Sequence, residues 1–535
     1  MRSFVLAAFL GAPWALAFAP RSLWWLGLLI CSALGLWVQR LASRGRPWQH
    51  AFIVGWGAGF GAFLAGVSWL YISLHTYGGL PSWLAVLSVA LFALYLGLFA
   101  ALACVVFHRV VLPLNSARTV LFNALAWAGL WTFFEWFRGT LFSGFAWLSL
   151  GDAMVDSPAS ALLAWLGNHG VLFVLLLPAY ALAQTFSLGL FSHSSQKSAN
   201  FKRERWLMQG SVALCVVFWG LALAGLARWP VQTVALPPIP VAGVQTNVDQ
   251  SIKFDPDLIV GNMQKAFALG DQAKATLAEG GLLLFPETVN PLVWTDTPEE
   301  WRERFRDFAR PGHTSVVMGS AVQEGRHYHN AIVLFDGSES GADLDVPKKR
   351  HDKRHLVPFG EFIPFGFSWF VAMLNMPMGE FTPGLGPLQP LEVLGNRLAS
   401  TVCYEDTFSG EFASLLDGAS QEPTVLVNLS NLAWFGQSWA LDQHAQMGRT
   451  RSAEHHKPGL RATNTGISGL IDHRGQWLVQ APPGQALVWG AQLQGRVGKT
   501  PFARWGSSVW FIIWGAVLLL LCVREARRRA YNRAH

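Results

Sequence analysis

Eight stretches of the chain are too apolar, and most are too long, to lie on the surface of a water-soluble fold. They cover residues 4–19, 23–39, 51–73, 83–107, 119–137, 160–190, 207–228 and 508–523. A helix needs about 20 predominantly apolar residues to cross the hydrocarbon core of a bilayer. Only helices and closed barrels satisfy their backbone polar groups there, so the runs are expected to be membrane-spanning helices. Composition agrees: 52% of the 535 residues are hydrophobic and 14% are charged, against about 25% charged in a soluble domain. Intrinsic disorder is excluded, because it needs low hydrophobicity and high charge. The 26 Trp and 37 Phe suit extensive contact with the interface between lipid and water.

The net charge of +7 is not distributed as in a nucleic-acid binder. Arg40, Arg44 and Arg46 lie between apolar runs, as do Arg109 and Arg118, and Lys197, Lys202, Arg203 and Arg205. Arg524, Arg527, Arg528, Arg529 and Arg533 follow the last run. This is the positive-inside pattern, and no nucleic-acid-binding motif accompanies it. It predicts that loops 40–50, 108–118 and 191–206 and both termini are cytoplasmic, with the long segment outside. The first run ends in Ala15-Leu16-Ala17-Phe18-Ala19, like a cleavable signal peptide. A second apolar run follows at once, so it is read as a retained anchor. The expected parts are a membrane domain over 1–228, an external domain over 229–507, and a last helix with a basic tail over 508–535.

The external segment reads as α/β. Short β-branched and apolar runs, Pro240–Thr246, Gly281–Thr288, Ser315–Val322, Tyr328–Asp336, Arg397–Asp406 and Thr424–Asn431, are expected strands. They alternate with helical patterns at Pro256–Glu279, Pro298–Ala309 and Ser438–His455. Such alternation builds a layered fold with a buried sheet. Cys31, Cys104, Cys215 and Cys522 lie in apolar runs, where a cysteine is ordinarily a small buried hydrophobe. Cys403 alone lies in the polar region, with no disulfide partner there and no metal-binding spacing around it. No metal or cofactor is expected.

Three strand ends carry chemistry. Leu282-Leu283-Leu284-Phe285-Pro286-Glu287-Thr288 runs into a carboxylate, and Ser400-Thr401-Val402-Cys403-Tyr404-Glu405-Asp406 runs into a thiol. Between them lies Lys353-Arg354-His355-Leu356-Val357-Pro358-Phe359-Gly360-Glu361. Strand ends of a layered α/β fold converge on one rim, where sites are built. An ammonium beside Cys403 would favour its thiolate, and Glu287 is placed to accept the thiol proton.

These motifs resemble the nitrilase superfamily, and more closely its membrane branch, the apolipoprotein N-acyltransferases. Asn431-x-x-Trp434-Phe435-Gly436, Arg461-x-Thr463-Asn464-x-Gly466, Glu135-Trp136-x-Arg138-Gly139 and Gly144-Phe145-x-Trp147 extend the resemblance over nearly the whole chain. The resemblance implies a multispanning helical domain joined to an αββα sandwich of two stacked sheets. It implies a Glu287–Lys353–Cys403 triad with Glu361 and Glu405 in support. The implied reaction is ping-pong acyl transfer: Cys403 takes the sn-1 acyl chain of a phospholipid, with phosphatidylethanolamine the expected donor. The thioester then passes the chain to the N-terminal amine of an S-diacylglyceryl-cysteine apolipoprotein. Drawing about sixteen carbons into water at ~0.8 kcal/mol per CH₂ would cost about 12 kcal/mol, so the site is expected to open toward the bilayer. Trp147 and Phe145, with Tyr404, Phe254 and Trp434, are the residues expected to line the acyl entrance. The chain departs from the family pattern at Leu432, Phe254 and Ala146, where Asp, Trp and Pro are usual. The competing readings are a membrane-tethered nitrilase-type amidohydrolase of small carbon–nitrogen substrates and a non-catalytic membrane scaffold or transporter that retains a dead nitrilase fold.

Overall fold

The computed structural model describes residues 1–114, 116–191, 199–277, 280–310, 313–338, 346–373, 380–506, 508–519 and 523. Lys197, Cys522 and the basic tail from Arg524 lie outside them. The chain forms two compact units, one of Met1–Ser68, Leu87–Pro230 and Ser507–His535, the other of Trp69–Val86 and Val231–Gly506. The second unit thus takes in the end of the third apolar run, the loop after it and the start of the fourth, as well as the long polar segment.

The first unit is helical. Its elements are α1 (Arg2–Gly11), α2 (Trp24–Ser43), α3 (Trp48–Gly66), α4 (Ser82–Val110, whose first turn belongs to the second unit), α5 (Ala117–Arg138), α6 (Leu163–Phe191) and α7 (Ala199–Arg228). A further short apolar helix spans Ser508–Leu519. Helix therefore forms at all eight apolar runs. Among the described residues, four helices are long and apolar enough to cross a membrane: Trp24–Ser43, Ser82–Val110, Ser160–Ser187 and Trp206–Arg228. Physical reasons separate the others from these. Arg118, Glu135 and Arg138 charge α5, and glycines dilute the hydropathy of α3.

Those glycines serve packing. A Cβ on Gly57 would lie 2.4 Å from the Phe4 carbonyl oxygen, and one on Gly61 2.0 Å from that of Ala8. Small residues let the backbones of α1 and α3 touch, as apolar helices do when hydrophobic burial cannot drive their association. Polar side chains add interhelical bonds: Tyr180 donates to Gln39 Oε1 at 2.9 Å and Asn123 to Gln184 Oε1 at 3.2 Å. At the end of α5, Arg138 donates to the carbonyls of Phe145 and Trp147, while Glu135 accepts from Ser149 Oγ at 3.0 Å and Trp131 Nε1 at 3.1 Å. The two ionic side chains brace a loop in which Phe142, Ser143 and Leu148 all take positive φ.

The second unit is a double-sheet sandwich. Its strands are β1 (Ile239–Gln245), β2 (Gly281–Leu284), β3 (Thr314–Glu324), β4 (His327–Phe335), β5 (Arg350–Asp352), β6 (Leu391–Val393), β7 (Asn396–Val402), β8 (Val425–Ser430), β9 (Gly459–Thr463), β10 (Ser468–Ile471), β11 (Trp477–Ala481) and β12 (Leu487–Leu493). One sheet has the order β12-β1-β2-β3-β4-β5, with Asn290–Val293 added against β3; the other has β11-β10-β9-β8-β7-β6. The two-residue alternation of side chains sorts each strand between two cores. Val241, Leu282, Leu284, Val317 and Ile332 meet Leu398, Val402, Val425, Val427 and Leu460 between the sheets. Ala242, Val244, Leu283, Val316 and Met318 point the other way, onto Met263, Leu269, Phe305 and Phe308 of the helices Ile259–Thr276 and Glu299–Phe308. On the far side, Phe412 and Leu416 of the helix Ser409–Asp417 pack on Ala399 and Leu426. This is the αββα architecture expected for the segment.

Candidate active site

Strand ends deliver the three expected residues to one place. Glu287 follows β2 in a turn where Thr288 takes φ +48°, Lys353 directly follows β5, and Cys403 directly follows β7 at φ +50°. Lys353 is 1% exposed; its Nζ lies 2.9 Å from Glu361 Oε1 and 3.8 Å from Glu287 Oε1. Asn330, on β4, donates from Nδ2 to both carboxylates, at 2.8 Å to Glu287 and 2.7 Å to Glu361. The remaining carboxylate oxygens take backbone N–H groups, Glu287 Oε2 from Asn431 at 2.6 Å and Glu361 Oε2 from Val357 at 2.7 Å. On sequence alone Asn330 reads as a residue satisfying backbone groups; here it bridges the two acids.

The electrostatics assign protons. Burial by itself disfavours an ammonium, but the Glu361 and Glu287 carboxylates outweigh it and hold Lys353 firmly charged. Burial pushes the half-buried Cys403 thiol up, and Glu287 pushes the same way. Lys353 pulls toward thiolate, as expected from sequence, yet does not prevail. The resting Cys403 side chain is therefore a thiol.

Glu405 acts on the backbone. It accepts from the N–H groups of Val402 at 2.6 Å, Arg354 at 2.7 Å and His355 at 3.3 Å, and meets His351 Nε2 at 3.2 Å. It thus ties the chain just beyond Lys353 to the turn that carries Cys403. Although burial opposes ionisation, His351 and these N–H donors hold the Glu405 carboxyl below the usual range. Tyr404 is buried, with its ring edge-on to Phe408 at 4.8 Å. Phe254 ends the short helix Gln250–Lys253 and is 38% exposed. Trp434 is half-buried and edge-on to Tyr77 at 6.1 Å. Phe145 and Trp147 belong to the helical unit, where Phe145 lies edge-on to Phe92 and Trp147 is buried. Leu432, one of the departures from the resemblance, is 1% exposed, and a Cβ on Gly466 would sit 2.7 Å from its Cδ1.

Asp406, in the same turn, pairs with Arg461 and His444. Burial opposes its ionisation, but these cationic and donor partners prevail and bring it down to about 2 from an ordinary 3.8. A depressed carboxyl contributes stability at neutral pH that disappears as pH falls through the folded value, here about 2 kcal/mol between pH ~4 and ~2. Asp406→Asn is expected to be less stable than the parent at pH 7, with the gap narrowing across that acid window in denaturant titrations.

Two features escaped the sequence reading. Lys253 is 6% exposed, and its Nζ lies 3.3 Å from both the Glu287 carbonyl oxygen and Thr288 Oγ1. Burial brings it down to about 8 despite the pull of Glu287 and Cys403. The segment Trp69–Val86 clasps the loop after β8. Ser73 Oγ donates to the Trp434 carbonyl at 2.7 Å, the rings of Trp69 and Phe435 lie 4.6 Å apart, and Tyr77 donates to Asp249 at 3.2 Å. Because Asn431 in that loop holds Glu287, the clasp reaches the acid. Among the described residues no group of three His, Cys, Asp or Glu side chains is arranged to hold a metal ion.

A stacked double sheet with a cysteine, a lysine and paired acids at one rim defines a carbon–nitrogen hydrolase domain, and the Carbon-nitrogen hydrolase family profile matches residues 241–502. A second profile, the Apolipoprotein N-acyltransferase N-terminal domain, matches residues 10–181. A Ralstonia nicotianae protein named apolipoprotein N-acyltransferase is 37% identical over 534 residues, covering 98% of this chain and 94% of its own. Its namesake from Bordetella bronchiseptica is 35% identical over 538 residues, covering 97% and 96%. The chain belongs to the apolipoprotein N-acyltransferase family. A solved carbon–nitrogen hydrolase superfamily protein from Xanthomonas campestris overlays with a TM-score of 0.35 at 18% identity, over 48% of this chain and 91% of that one.

Proposed function

We propose that the protein moves the sn-1 acyl chain of a phospholipid, with phosphatidylethanolamine as the donor, onto the amine of an S-diacylglyceryl-cysteine apolipoprotein. Glu287 takes the thiol proton as Cys403 Sγ attacks the ester carbonyl, and Lys353 stabilises the oxyanion. Glu287 then protonates the departing glycerol oxygen, leaving a lysophospholipid and a Cys403 thioester. In the second half the acceptor amine gives a proton to Glu287 and attacks the thioester, and the thiol is restored. The observation that carries this reading is the buried ammonium of Lys353 held between Glu361 and Glu287 beside the Cys403 thiol. The apolar helices support a setting at a membrane. The proposed topology is eight crossings of the bacterial inner membrane, with 229–507 on the periplasmic side and both termini in the cytoplasm. The domain limits 1–228, 229–507 and 508–535 belong to the same proposal.

The test uses the full chain in phosphatidylethanolamine-containing micelles with a diacylglyceryl lipopeptide. One lysophospholipid is expected per N-acylated peptide, with parallel double-reciprocal plots as ping-pong transfer requires. Ammonia release from small amides, without any lipid requirement, would establish the amidohydrolase reading instead.

A further inference from the structure

The thiol sits on a strained backbone, and the structure shows what holds it. A non-glycine residue at φ +50°, as Cys403 is, persists only where its surroundings over-determine it. The Cys403 carbonyl oxygen accepts from Asn428 Nδ2 at 3.1 Å and meets His444 Nε2 at 3.0 Å. Asn428 comes from β8, and His444 from the helix Trp439–His455.

The histidine's tautomer follows from its neighbour. Arg461 Nη2 lies 2.6 Å from His444 Nδ1, and a guanidinium has donors only. Nδ1 is therefore the acceptor and Nε2 carries the hydrogen that points at the Cys403 carbonyl. Arg461 in turn pairs with Asp406, whose other oxygen lies 3.3 Å from His444 Nε2. Asp406 is three residues beyond Cys403, so the ring of contacts closes on the nucleophile's own turn. All three side chains are at most 4% exposed. One helical turn after His444, Gly448 leaves the guanidinium its room: a Cβ there would lie 2.0 Å from Arg461 Nη1.

We propose that His444 is a positioning residue for acyl transfer, holding Cys403 in its left-handed conformation through the carbonyl while Arg461 and Asp406 fix its tautomer. The inference rests on Cys403 being the nucleophile. His444 meets Cys403 at its carbonyl oxygen, not at the sulfur, so the histidine acts by aiming the sulfur. Misplacement of a reacting group by about 1 Å can cost 10²-fold in rate.

Two substitutions isolate this role in the full-length protein. His444→Gln keeps a donor able to reach the Cys403 carbonyl. His444→Asn keeps an acceptor for Arg461 but is too short to reach Cys403. With labelled phosphatidylethanolamine, the single-turnover acylation rate of His444→Gln is expected within about threefold of wild type, and that of His444→Asn about 10- to 100-fold lower. The KM for phospholipid should be unchanged in both. Equal acylation rates for Gln and Asn, or a loss confined to KM, would overturn the proposal. Absence of acylation in the wild type would overturn the thioester mechanism itself, a separate outcome. Should His444→Asn fail to fold, His444→Gln against wild type decides: a loss of 10-fold or more in a folded Gln variant counts against a role carried by the donor.

Discussion

Cys403→Ala is expected to form no covalent adduct with phospholipid and to lose N-acylation by a factor of about 10⁴ or more, as enzymes do when their nucleophile is removed. The size of the effect follows from the site. Burial and the Glu287, Glu361 and Asp406 carboxylates all hold the Cys403 sulfur protonated at rest, against Lys353. In the proposed mechanism the thiolate exists only when Glu287 takes its proton, and no other cysteine among the described residues lies in this unit. Cys403→Ser should be nearly as inactive, because a hydroxyl is a far weaker acid for the same carboxylate base. Deleting one sulfur at a half-buried position changes packing little, so both variants should keep the parent's melting behaviour. Quantitative N-acylation assays beside thermal unfolding check both statements.

Lys353→Met carries the second largest effect, and it should be seen in both catalysis and stability. The ammonium has a partner at 2.9 Å in Glu361 and another at 3.8 Å in Glu287. Removing it leaves two buried acids, joined through Asn330, without their shared cation. Breaking a buried ion pair from one side typically costs about 3–5 kcal/mol of stability, and loss of one oxyanion donor about 10²–10³ in rate. Lys353→Arg should fail as well, because a residue 1% exposed offers no space for a wider, planar group. Acylation rates and denaturant midpoints of both variants test this. A Lys353→Met protein with wild-type acylation would remove the lysine from the mechanism.

Local pattern carried much of the architecture. The apolar runs became helices, and the strands expected around 240, 281, 315, 328, 397 and 424 formed within a few residues of their expected starts. The alternation of Val241, Ala242, Gly243 and Val244 is itself the record of a strand with cores on both faces. The proposed Glu287–Lys353–Cys403 grouping was drawn from motifs: Cys403 ends an apolar run that forms a strand, Glu287 lies three residues beyond another, and Lys353 stands out only by the His355-Leu356-Val357-Pro358 motif that follows it. What stayed hidden depends on contacts between distant positions. Asn330 reaches Glu287 across 43 residues, Tyr77 reaches Asp249 across 172, and His444 reaches Cys403 across 41. None of these has a local periodicity or motif that would announce it. Glu405 shows the limit most plainly: its proximity to Cys403 was visible, whereas its backbone partners Arg354 and His355 lie about 50 residues away.

The most direct measurement is mass spectrometry of the peptide containing Cys403, after the full-length protein is incubated with a phospholipid of defined acyl chains and no acceptor. The account predicts one acyl group on Cys403, matching the sn-1 chain, released by hydroxylamine and discharged when a diacylglyceryl lipopeptide is added. Continued N-acylation of the lipopeptide, with Cys403 unmodified at every stage of turnover, would contradict it.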